Sequence, residues 1–333
     1  IHAFGRTMDG KSVYMKITDF HPYFYIKLPE KWDLSEAKKK VKLMKKWLQS
    51  HNNSKVWSKY RGNLIKMRAV EKISAEGFTN NKKSIFAKLM FDNSYAMKKF
   101  KLLFELYKLN IHNVTTKDTS FRTFEANLQP MLRCFHNRNI GGCSWVKVDK
   151  YSKINDDFKE SYCDIEIHVN YKKIEPIKKE TNAPLRILSF DIECNSKDGG
   201  FPQARKIGDP VIQIGSTYTY LGESTPYRQH IVCLKNTSPV ENTIVESYKT
   251  EKELMLAWKK EIIDNDCDII TGYNIFWFDE AYIRDRCKIH LDLEDEILTM
   301  SKLKYKVCNY RNFKLASSAM GENKIKMFQT PGR

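Results

Sequence analysis

The sequence predicts a mixed α/β and α+β protein in two parts, an amino-terminal domain over residues 1–180 and an α/β domain over 185–333. Three observations carry this. The early chain mixes aromatic, β-branched runs with amphipathic helical patterns. From residue 185, apolar strand-like runs alternate with helical stretches and glycine turns, the order of an α/β sheet. Between them, Tyr171–Pro184 is polar, Lys-rich and carries two prolines, as a linker does. The charge changes there too. Residues 1–184 hold 36 Lys and Arg against 19 Asp and Glu, residues 185–333 hold 21 of each, so the whole net charge of +17 precedes the linker.

Taken in order, 13–17 and 23–28 read as paired strands around turns at Asp9-Gly10 and Asp19, and Pro29 ends the second. A helix is expected from about Ser35 to Gln49, with Ala37, Val41, Met44 and Leu48 on its buried stripe and six lysines on the other faces. A second spans Ser94–Lys108, burying Met97, Phe100, Phe104 and Tyr107. Residues 164–169 alternate as a half-buried strand. Past the linker, Leu185–Cys194, Val211–Tyr220, Ile231–Leu234 and 268–272 are strands. Thr250 with Glu253 forms a capping box for a helix burying Leu254, Ala257, Trp258 and Ile262. A last helix runs from about Phe278 to Cys287.

Composition narrows the classes. No apolar run approaches the ~18 residues of a membrane span. The eight cysteines form no C-x-x-C pair, which points to reduced thiols in an intracellular setting, with neither a disulfide framework nor a zinc site. A basic amino-terminal half calls for a polyanionic partner, most often nucleic acid.

Two acidic clusters carry the chemistry. On a strand, Asp191 and Glu193 point the same way while Phe190 and Ile192 point to the other face. Side-by-side carboxylates repel unless one is protonated or a cation binds. With no paired His or Cys, their hard oxygens favour Mg²⁺ or Mn²⁺. Asn274-Ile275-Phe276-Trp277-Phe278-Asp279 adds a third carboxylate at a helix start, after a strand and a Gly272-Tyr273 turn. Three carboxylates can hold two cations ~4 Å apart, one assisting the attacking hydroxide and the other the leaving 3′ oxygen. A lone D-x-E means little. Asp164-Ile165-Glu166 and Asp292-Leu293-Glu294 repeat the pattern, and the former is expected to be charges on the wet face of a strand.

Leu188–Cys194 resembles the first exonuclease motif of family B DNA polymerases, and Thr271–Asn274 through Phe278-Asp279 resembles the second. Asp209–Ile214 lies between them as in the polymerase delta-like branch, and Phe4–Thr7 and Phe20–Ile26 are similar to that branch's amino-terminal region. With the Lys, Asn and Ile bias, a large DNA virus is the expected source. The resemblance implies an RNase H-like (DnaQ-type) exonuclease domain over 185–333, incomplete, behind a basic amino-terminal polymerase domain. It implies that Asp191, Glu193 and Asp279 are catalytic and bind two Mg²⁺ or Mn²⁺ ions, with Glu193 helping to orient the water and Asn274 and Phe278 in supporting, positioning roles. Phe201 is the expected contact to a frayed DNA end. The implied partner is DNA, as primer-template and as a single-stranded 3′ end. A processivity clamp is a family expectation without a motif here. The implied location is a host nucleus or a cytoplasmic virus factory, with no membrane association.

The third exonuclease motif, Tyr-x-x-x-Asp, is absent: Tyr305 is followed by Asn309, and the family places that motif beyond Arg333. Polymerase signatures and the carboxy-terminal cysteine module are absent too. The expectation is therefore the front piece of a DNA polymerase, ending at Thr330–Arg333, without polymerase activity and with weak or no exonuclease activity by itself. Two alternatives stand beside it, a free-standing DEDD-type 3′–5′ exonuclease and a non-catalytic DNA-binding scaffold.

Overall fold

The computed structural model describes residues 1–50, 59–74, 79–115 and 117–304; Tyr305, Cys308, Asn309 and Thr330–Arg333 lie outside the described residues. The chain divides into two compact units, one holding Ile1–Thr18 and the chain from Ser144 onward, the other Asp19–Cys143.

The chain opens with a hairpin, β1 (His2–Arg6) and β2 (Ser12–Thr18), closed at Gly10, whose φ of +83° favours glycine. It then enters the second unit: β3 (Tyr23–Lys27), α1 (Leu34–Ser50), β4 (Leu64–Ile73), β5 (Lys83–Phe91), α2 (Ser94–Leu106), β6 (Thr123–Phe124) and α3 (Pro130–Arg138). The antiparallel sheet runs β4-β5-β3-β6, a ferredoxin-like βαββαβ arrangement. Central strand β3 is buried on both sides. Phe24 and Ile26 meet the helix-covered core, where α1 contributes Ala37, Val41, Met44 and Leu48. Tyr23 and Tyr25 pack with Phe86 on the other face, where the Tyr23 hydroxyl donates to Asn137 of α3 at 3.2 Å. In α2, Met97, Phe100 and Phe104 are buried as expected, but Tyr107 is exposed because the helix ends at Leu106 and Tyr107 adopts an extended conformation.

The Asp19–Cys143 unit contains 25 Lys and Arg against 10 Asp and Glu. The positive charge is thus concentrated within this one unit rather than spread over residues 1–180.

The first unit resumes with β7 (Val146–Val148), β8 (Ser152–Lys153), β9 (Ile165–Asn170) and β10 (Ile174–Pro176). β9 pairs in parallel with β2, bringing residues 13–18 alongside 165–170. β10 pairs with β7, so the expected linker opens with a 3-10 turn at Tyr171–Lys173 and continues as paired strand. Asp164-Ile165-Glu166 does not form a wet face. Glu166 is fully buried and accepts from the backbone N–H groups of Glu160 and Ser161 and from the Ser161 hydroxyl, while Asp164 accepts from the backbone and hydroxyl of Ser12. Such donors offset the cost of removing a carboxylate from water.

The remaining elements are β11 (Arg186–Cys194), β12 (Val211–Tyr220), β13 (Arg228–Leu234), β14 (Ile244–Tyr248), α4 (Glu251–Asp264), β15 (Ile269–Thr271), α5 (Asp279–Arg286) and α6 (Glu294–Leu298). Their sheet has the order β14-β13-β12-β11-β15, with β11 antiparallel to β12 and parallel to β15. Leu188, Phe190, Ile192, Ile214 and Val232 pack beneath Trp258 and Ile262 of α4. The Thr250–Glu253 capping box forms with both of its hydrogen bonds, at 3.2 and 2.9 Å. Arg6 of β1 joins this sheet: with Lys302 it neutralises Asp266 and Asp268 before β15, and Asp268 also accepts from Arg186 N at 2.8 Å. The seven described cysteines are free. No helix among the described residues is long and apolar enough to cross a membrane.

Candidate active site

β11 places Phe190 and Ile192 in the core and leaves Asp191 and Glu193 exposed on the opposite face. Asp191 lies across from Gly215 of β12, so no neighbouring side chain crowds it from that strand.

The second cluster reaches β11 through a close backbone approach. A Cβ on Gly272 would lie 2.5 Å from the Phe190 carbonyl oxygen and 2.3 Å from Ile275 Cγ2, so only glycine fits after β15. Asn274 follows with φ +54°, a left-handed conformation that Asn tolerates. Ile275, 1% exposed, pins the turn into the core. The chain then enters α5 with Asp279 as its first residue, where the helix N-terminus favours a carboxylate.

Asp279 is only 3% exposed, and its Oδ1 accepts from Ile192 N at 3.2 Å. Burial pushes its carboxyl up to about 6. The Asp191 carboxyl, within hydrogen-bonding reach, acts in the same direction, while the backbone N–H groups of Ile192 and Asp279 oppose it.

The structure therefore brings Asp191 and Asp279 together and sets Glu193 on the same strand face. Among the described residues no three His, Cys, Asp or Glu side chains form a closed metal-holding group. The donor chemistry nevertheless fits a divalent cation: two carboxylates meet at one site, and their mutual repulsion is relieved by a proton or a hard cation.

The loop from Asn195 to Pro210 carries Phe201, 74% exposed, with its ring 5.3 Å from that of Phe278, which is in turn 5.3 Å from Tyr282. Phe201 thus packs on Phe278, the residue preceding Asp279. Buried Arg286 of α5 holds this loop. Its Nη1 donates to the carbonyls of Ala204 and Lys206 at 3.2 and 2.7 Å, and its other nitrogens pair with Glu251 at 2.8 and 2.5 Å. Asp209 accepts from the backbones of Lys197 and Gln203, bonds that hold its carboxyl below the usual range, and the Tyr282 hydroxyl donates to the Asp209 carbonyl. Arg286 and Glu251 escaped the sequence reading because 35 residues separate them and no local pattern joins them. Gly272 was legible as a turn, but its closeness to Phe190 was not.

A carboxylate pair between a central strand and a helix start, on a sheet of this order, is an RNase H-like exonuclease arrangement. Residues 121–328 match the family described as DNA polymerase family B, exonuclease domain, and the chain belongs to that family. It is 36% identical over 289 residues to a DNA polymerase of Acanthamoeba polyphaga mimivirus, covering 86% of this chain and 16% of that protein. It is 31% identical over 340 residues to the DNA polymerase delta catalytic subunit of Schizosaccharomyces pombe, covering 100% of this chain and 30% of the relative. The DNA polymerase of Paramecium bursaria Chlorella virus NY2A is 28% identical over 337 residues. Among solved structures, the family B DNA polymerase of the hyperthermophilic archaeon Pyrobaculum calidifontis shares the fold, with a TM-score of 0.56 and 19% identity over 86% of this chain and 30% of that one. The chain spans about a third or less of the length of these relatives.

Proposed function

We propose that this chain is the amino-terminal and proofreading region of a DNA-directed DNA polymerase, and that Asp191, Glu193 and Asp279 serve hydrolysis of the 3′-terminal phosphodiester. The observation that carries this reading is the buried Asp279 carboxyl docked on Ile192 N beside Asp191. Asp191 and Asp279 would hold Mg²⁺ or Mn²⁺, which supplies Lewis-acid charge for the attacking water and the leaving 3′ oxygen. Glu193, exposed on the same face, orients the water and accepts its proton as the P–O3′ bond breaks. Asn274 and Phe278, on the turn that leads into Asp279, would have a positioning role, and Phe201, packed on Phe278, would offer its ring to the terminal base.

DNA is the proposed substrate, as primer-template and as a single-stranded 3′ end. The strongly basic Asp19–Cys143 unit supports contact with its phosphates. The proposed place of work is a nucleus or a virus factory, in keeping with relatives that are a viral DNA polymerase and a delta catalytic subunit; a processivity clamp is proposed from the family resemblance alone.

The test is removal of a mispaired 3′ nucleotide by the polymerase containing this chain. Asp191→Ala and Asp279→Ala should each abolish metal-dependent excision while sparing primer extension. Undiminished excision by either variant overturns the reading.

A further inference from the structure

The inward face of α5 carries Asp279, Tyr282, Ile283 and Arg286, all 4% exposed or less. Arg286 stands about two helical turns beyond Asp279, so the two share one face. A buried guanidinium is costly unless its donors are used and its charge is met. One edge of the Arg286 fork pairs with Glu251, the first residue of α4, which also accepts from Val211 N at 2.9 Å. The remaining nitrogen, Nη1, donates to the Ala204 and Lys206 carbonyls, and His290 Nε2 lies 3.1 Å from the Ala204 and Arg205 carbonyls. One side chain therefore joins α5, α4, the start of β12 and the 195–210 loop.

That loop touches the carboxylate set at both ends. It leaves β11 directly after Glu193-Cys194, with its base closed by Asn195 N on the Pro210 carbonyl at 3.0 Å. Its middle sets Phe201 on Phe278, the residue before Asp279. Tyr282 fastens its far end through the Asp209 carbonyl at 2.8 Å. A shift of the loop is thus passed to the end of β11 that bears Glu193 and to the start of α5 that bears Asp279. With eight residues, α5 is too short to hold itself in water without tertiary anchors, so its placement depends on these bonds.

We infer that Arg286 is the positioning residue of this site: its fork locks the 195–210 loop to α5 and α4, and so fixes Glu193 and Asp279 relative to each other. The inference rests on the proposed exonuclease reading for its consequence, but its first test stands apart from activity.

The experiment separates the ion pair from the loop bonds. Arg286→Met/Glu251→Gln removes both buried charges, which keeps most of the stability, yet leaves the Ala204 and Lys206 carbonyls without their donor. Arg286→Lys keeps a charge for Glu251 but not the planar fork. In limited trypsin digestion of this chain, cleavage after the exposed Arg205 and Lys206 should rise about tenfold in both variants relative to cleavage elsewhere, which marks local rather than global opening. In the polymerase containing this chain, both variants should lower kcat for excision of a mispaired 3′ nucleotide about tenfold, with KM for the DNA within about twofold and primer extension unchanged. Wild-type protection at 205–206 in both variants overturns the inference, as does an excision defect confined to KM or a wild-type kcat. If the loop opens as expected but the wild-type polymerase shows no metal-dependent excision, the exonuclease reading fails and the fastening of the loop by Arg286 stands.

Discussion

Replacing Asp279 with Asn should stabilise the folded chain at neutral pH in the absence of metal. Burial and the adjacent Asp191 raise the Asp279 carboxyl from 3.8 to about 6. Below pH 3.8 both folded and unfolded states carry the proton, and the residue contributes nothing. Between 3.8 and about 6 the folded state keeps a proton that the unfolded state has lost, so stability falls as pH rises. Above about 6 the loss is complete. A difference of about two pH units corresponds to about 3 kcal/mol at 1.36 kcal/mol per unit. Asn keeps the oxygen that accepts from Ile192 N and can donate to Asp191. Urea denaturation in EDTA should therefore give equal stabilities for wild type and Asp279→Asn near pH 3.5, with the variant ahead by roughly 1–3 kcal/mol at pH 7.5. Mn²⁺ should narrow that gap by stabilising only the wild type. A difference independent of pH, or an Asn variant less stable at pH 7.5 in EDTA, refutes the reasoning.

Other outcomes follow from neighbouring contacts. Gly272→Ala forces a methyl group against the Phe190 carbonyl and Ile275, so it should cost about 1–3 kcal/mol in urea denaturation and weaken Mn²⁺ binding measured by calorimetry. Arg286→Met leaves Glu251 buried without its partner and should cost about 3–5 kcal/mol, much of it recovered in Arg286→Met/Glu251→Gln. The two D-x-E segments should separate cleanly. Glu166→Ala strands the donors of Glu160 and Ser161, lowering stability by about 1–3 kcal/mol with Mn²⁺ affinity unchanged. Glu193→Gln should leave the urea midpoint unchanged and weaken Mn²⁺ binding.

Where short-range patterns decide a structure, residue spacing was sufficient. The α1 stripe, the Thr250 capping box and the two faces of β11 each follow from periodicity over a few residues. The expectation of a family B polymerase exonuclease region also holds. What was not legible depends on distant chain. The unit boundaries fall at 18/19 and 143/144 because β2 pairs with β9, a contact about 150 residues apart, whereas the change in charge suggested a break near 180. Glu166 and Glu193 stand in identical D-I-E letters. One is buried only because Glu160 and Ser161 fold back over it, while the other stays open beside Gly215 and Gln213 of β12. The meeting of Asp191 and Asp279 depends on Gly272 passing against Phe190, a distance that no sequence spacing encodes.

The most direct test of a carboxylate metal site is Mn²⁺ calorimetry on this chain at pH 6, near the value to which Asp279 is raised, in buffers of differing ionisation enthalpy. The wild type should bind Mn²⁺ and release a fraction of a proton as it does, and Asp191→Ala/Asp279→Ala should show neither. An unchanged isotherm in the double variant would contradict the assignment of Asp191 and Asp279 as the metal-holding pair.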